Sequence, residues 1–148
     1  MQSTMTNENT MTADTSTPTT ARKPKSADKI KWELEHQIEF VKERYEKVQA
    51  AFLASVQQDP TYAISRQADD MVKMQAEHEV WLKIERELAD NEPAAVLTKN
   101  LAECRSAVQS YFGTSCTCPI FNAVARAKAG ALVRQIDQID AMMKCFGM

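Results

Sequence analysis

Leu34, Ile38, Val41, Tyr45, Val48 and Phe52 recur at spacings of 4, 3, 4, 3 and 4 residues. That is the a/d pattern of a helix burying one seam for about three heptads. A strand repeats every second residue and cannot produce it. The seam therefore commits the chain to a long amphipathic helix. Ser26 or Asp28 can cap its start, because a short oxygen-bearing side chain satisfies the free N–H groups of a first turn. The spacing predicts a helix over 27–58.

Three prolines divide the rest of the chain. Asp59 can cap a second helix whose first residue is Pro60, where the missing N–H costs nothing. Ile64, Ala68, Met71, Met74, Trp81, Ile84 and Leu88 give it a wider, less regular stripe to about residue 91. Pro93 opens a third helix over 93–112, with Leu97, Leu101, Cys104, Val108 and Tyr111 on one face and Gly113 as its stop. Pro119 opens a fourth over 119–145, with Phe121, Ala125, Leu132, Ile136, Ile139 and Met143 on its apolar face. The small residues of "AVARAKAGA" would let a neighbouring backbone approach closely. Such tight turns make antiparallel hairpins. The expected fold is all-α, a long helical hairpin plus a shorter one, closing as a four-helix bundle or an elongated coiled-coil-like dimer. A content of 44% apolar residues with three Gly and five Pro suits that class.

Residues 1–25 hold eight Thr and two Ser and no apolar side chain larger than Ala except Met. They bury too little to offset ordering entropy and read as a disordered tail ahead of a helical domain at 26–148. Met1, Met5 and Met11 are all conceivable starts. No run approaches the ~18–20 apolar residues of a membrane span, and the first residues lack a signal's basic-then-apolar order. These features lead us to expect a cytoplasmic chain with reduced thiols.

The formal charge of −2 is unevenly spread. Residues 22–31 hold five Lys/Arg against one Asp, residues 32–92 seven against fourteen Asp/Glu, and residues 93–148 six against three. The two halves can attract one another.

No phosphate-cradling glycine loop, G-x-S-x-G elbow or H-E-x-x-H pair is present, so no catalytic residue is assigned and an enzyme is not expected. Asp69 and Asp70 point about 100° apart on a helix and cannot share a proton. His36 falls on the solvated side of the seam, whereas His78 borders the second stripe as a packing residue. A zinc site needs four converging ligands, and Cys104, Cys116, Cys118 and Cys145 are too far apart along two helices; no metal or cofactor is expected. Cys104 reads as a small buried hydrophobe. Cys116 has no assigned role. Cys118, directly before Pro119, occupies a helix cap where the dipole favours a thiolate, making it the candidate reactive thiol. Cys145 stands fourth from the end in "CFGM", but Gly147 is not aliphatic, so prenylation there is not expected.

A non-enzymatic helical interaction, scaffold or accessory protein is the leading reading, working through a protein partner or self-association. Its contact residues would be the seam (Leu34, Ile38, Val41, Tyr45, Val48, Phe52) together with Trp32, Phe40 and Trp81 as large rigid anchors. The alternative is nucleic-acid association through Arg22, Lys23, Lys25, Lys29 and Lys31, aided by Arg126, Lys128 and Arg134, through sequence-blind phosphate contacts. The same arm would suit anionic lipid. A pI near 5.7 weighs against it.

Overall fold

The computed structural model describes residues 25–113 and 116–148. Four helices follow one another: α1 (Ala27–Gln58), α2 (Pro60–Leu88), α3 (Pro93–Gly113) and α4 (Pro119–Phe146). The tail over 1–24, with Arg22, Lys23 and the alternative starts, lies outside the described residues.

The caps work as their chemistry requires. Ser26 Oγ accepts from the N–H of Lys29, and Asp59 ends α1 and begins α2 at once. Its N–H donates to the Ser55 carbonyl at 2.8 Å, while its Oδ1 accepts from the Tyr62 N–H at 3.0 Å. That double use makes the first turn so tight. Helix α2 stops at Leu88, short of the expected residue 91. Pro93 disfavours helical geometry at Glu92, and Asn91 Nδ2 folds back onto the Glu87 carbonyl at 2.9 Å. Helix α4 runs one residue past expectation to Phe146, and Gly147 closes it at φ 79°. There the Met148 N–H reaches the Met143 carbonyl at 3.0 Å, the six-to-one bond of a Schellman end that a left-handed glycine permits.

The two hairpins form an up-down bundle in which α2 packs against all three other helices and α1 and α4 scarcely touch. The core joins the beginnings of α1 and α3 to the ends of α2 and α4. Ile30, Leu34, Ile38 and Val41 meet Trp81, Ile84 and Leu88, then Val96, Leu97 and Leu101, then Ile139 and Phe146. Each such side chain contributes about 1.5–3 kcal/mol by leaving water. Two buried polar pairs bridge helices at this end. Trp81 Nε1 donates to Gln135 Oε1 at 2.7 Å, and Asn100 Nδ2 donates to Glu87 Oε2 at 2.7 Å.

Away from that end the buried positions become small. Ala125, Ala127, Ala129 and Ala131 bring α4 close to its neighbours, and Ala63 is buried where the stripe predicted Ile64. Ala63 stands about five full turns before Trp81 and faces the same way. Ile64 is rotated about 100° from that direction and is 64% exposed. The molecule thus has a packed end and an open end.

Candidate functional site

The seam divides between those two ends. Leu34, Ile38 and Val41 are completely enclosed by the chain's own helices. Tyr45, Val48 and Phe52, on the same face further along, are only half-buried. Because α1 and α4 both pack on α2 and scarcely touch each other, a groove of about 430 Å³ remains between them. Val48, Ala51 and Phe52 form one wall, Met74 and Gln67 lie on the α2 side, and Arg134 of α4 stands opposite. Arg44, Asp70 and Lys73 complete its lining.

The groove's polar groups differ in how far the chain satisfies them. Lys73 is held by Asp69 and Asp70, and Arg44 Nη1 lies 3.7 Å from Glu77, a carboxylate drawn almost wholly inside. Arg134 has no ion pair among the described residues. Gln67 Oε1 is buried with no hydrogen-bond donor among them, and an unsatisfied buried acceptor costs about 1–3 kcal/mol. Tyr45 closes the seam side by stacking on His78, ring centroids 4.1 Å apart and nearly parallel. Burial and the Lys42 ammonium hold the His78 imidazole below its usual pKa.

The remaining candidates fall elsewhere. Trp81 is 1% exposed and belongs to the core, so with Leu34, Ile38 and Val41 it contacts this chain and offers no outer surface. Trp32 and Phe40 are exposed on the side of α1 opposite the seam. His36 lies beside Trp32 there, ring centroids 3.9 Å apart, with Nδ1 3.0 Å from the Trp32 carbonyl oxygen. Lys29 and Lys31 are exposed, but Lys25 is committed. Its Nζ donates to both oxygens of Glu33 at 2.7 and 2.9 Å and lies 5.2 Å from the Phe146 ring centroid.

All four cysteines are free, and only Cys116 and Cys118 are neighbours. Cys104 is buried, and that burial raises its pKa. Cys118 caps α4 through its backbone but makes no side-chain capping bond; its N–H lies 3.4 Å from Cys116 Sγ. Asn122 Nδ2 holds the Cys116 carbonyl at 2.6 Å. Cys145 sits in the last turn of α4, beside a Phe146 that is 2% exposed. Prenyl transfer with removal of the last three residues would take Phe146 out of the core. Among the described residues no three His, Cys, Asp or Glu side chains are placed to hold a metal ion, and no helix is long and apolar enough to cross a membrane.

Sequence reasoning misses the groove's far side. Charge alone singles out Arg134 and nothing singles out Gln67, because the seam's period says which face is apolar and not which neighbouring helix covers it. Comparison with protein families, characterised proteins and solved structures finds no match for the chain.

Proposed function

We propose that this chain is a non-enzymatic helical interaction module that receives a partner's amphipathic helix in the groove between α1 and α4. The observation that carries the reading is the divided seam: one continuous a/d pattern is covered for its first half and left open for its second. Helix-in-groove recognition uses such a surface, with apolar side chains at i, i+3, i+4 and i+7 for affinity and rim charges for register. Val48 and Phe52 offer the apolar contact above the buried Met74. Arg134 suits a carboxylate on the partner, and the Gln67 carbonyl a donor. The basic arm supports nucleic acid less well, since Lys25 is taken by Glu33.

Site-specific photo-crosslinking from residue 52 in the native host tests this. A benzophenone side chain at Phe52 should give a discrete protein adduct, while one at the exposed Thr98 on α3 gives none. Val48→Asp should remove the adduct and leave the circular dichroism helical. Absence of an adduct at 52, or an adduct indifferent to Val48→Asp, would overturn the reading.

A further inference from the structure

Two exposed surfaces of opposite charge remain outside the groove. From Cys104 to Ile136 the chain has no Asp or Glu, yet carries Arg105, Arg126, Lys128 and Arg134. Arg105 faces Asp140 at 3.8 Å. Arg126 and Lys128 have no ion pair among the described residues, whereas Arg134 belongs to the groove. On the same hairpin Phe112 is 71% exposed and Ile120 76%, with Phe121 and Val124 also open. Ile120, Phe121 and Val124 are oriented like the buried positions of α4 but lie beyond the point where other helices cover them. Toward its tip the hairpin is therefore apolar, with Lys128 continuing the row of Phe121 and Val124 and Arg126 exposed on the other side of α4.

The outer face of α1 is predominantly acidic, with the exposed Lys29 at its start. Trp32 and Phe40 are 56% and 59% exposed. Together with His36 they stand four residues apart, in one row along the helix. Glu35, Glu39 and Glu46 border that row without an ion pair among the described residues, and Glu43 reaches only the neighbouring Lys47, at 3.7 Å. This face points away from its own bundle, because the seam on the other side of α1 holds the core. The two surfaces cannot meet within one copy.

We infer that the chain self-assembles head to tail, the cationic end of the α3–α4 hairpin of one copy docking on the acidic aromatic face of α1 in the next. The occupant is a second copy because each surface leaves unpaired the charge the other supplies, and each adds large rigid apolar side chains to desolvate the contact. A head-to-tail contact joins different patches, so it propagates beyond a dimer unless a ring closes. Charges set this far outside the core are screened by salt, so assembly weakens as ionic strength rises.

Sedimentation velocity of the full chain tests the inference with two variants at exposed positions, Phe40→Lys on the acidic face and Ile120→Glu on the cationic end, circular dichroism confirming that both stay helical. Wild-type protein should grow past a dimer with concentration in low salt and shrink in about 1 M salt, where the screening length is only ~3 Å. Each variant alone should be monomeric. Mixed in equal amounts they should form a dimer and nothing larger, because only one live surface of each remains. Wild-type protein that stays monomeric, assembly that stops at a dimer, assembly that survives either substitution, or a mixture that stays monomeric would each overturn it.

Discussion

His78 is flat against Tyr45, half out of water and near Lys42, and both influences oppose its protonation. The unfolded chain has no such opposition and takes up the proton near pH 6.5, the ordinary value. The unfolded state then binds more protons than the folded one, so stability is complete above that pH and falls as pH drops through it. Urea midpoints measured at about pH 7.5 and about pH 5.5 should differ in wild type and converge in His78→Gln. An equal difference in both proteins would assign the effect to other groups. Single residues are unevenly legible in the sequence. Val41 and Leu101 follow from spacing alone. Gln135 does not, although it interrupts the apolar face between Leu132 and Ile139, and it is there because the enclosed Trp81 N–H needs an acceptor. An outward anchor role for Trp81 fails on that acceptor, since a tryptophan's sequence neighbours do not reveal whether its polar edge is satisfied inside.

At the scale of the element, the end of α4 shows how a short pattern takes its meaning from the fold. "CFGM" has the length of a lipidation signal, yet its parts are a helix end: Gly147 in the left-handed region, the Met148 N–H returned to Met143, and Phe146 2% exposed. The beginning of α1 is fastened to the same place, as the Lys25 N–H donates to the Phe146 carbonyl at 3.2 Å and its ammonium lies near the ring. Phe146 thus joins the two ends of the described helical body, a contact with no local sequence signal. Phe146→Ala should cost about 3 kcal/mol, the scale of removing a buried aromatic ring, read as a shift of the urea midpoint at unchanged slope. A loss below about 1 kcal/mol, the scale of a surface change, would mean that this end frays freely in solution. The starts of the helices are more legible, because Ser26, Asp59 and the three prolines act within one turn. The end of α2 is less so, since Asn91 and Pro93 truncate an apolar stripe that carries no stop of its own.

For the whole molecule, periodicity establishes that four helices each bury a face, but not that the burial is lopsided. Large side chains gather where α1 and α3 begin and α2 and α4 end, while the opposite half is sealed mainly by alanines and leaves Phe52, Ile64, Phe112 and Ile120 partly or largely in water. That asymmetry produces the groove and the exposed hairpin end, and any docking reading depends on it. Native-state hydrogen exchange measures it most directly, because local opening free energy follows the buried contacts around each amide. Amides of residues 34–41 and 81–88 should exchange only with global unfolding, and those of 48–57 and 62–70 through a separate, cheaper opening that leaves the packed end intact. Equal protection along the full length of α1 and α2 would contradict the account, for the seam would then be closed throughout and no half of it left for a partner.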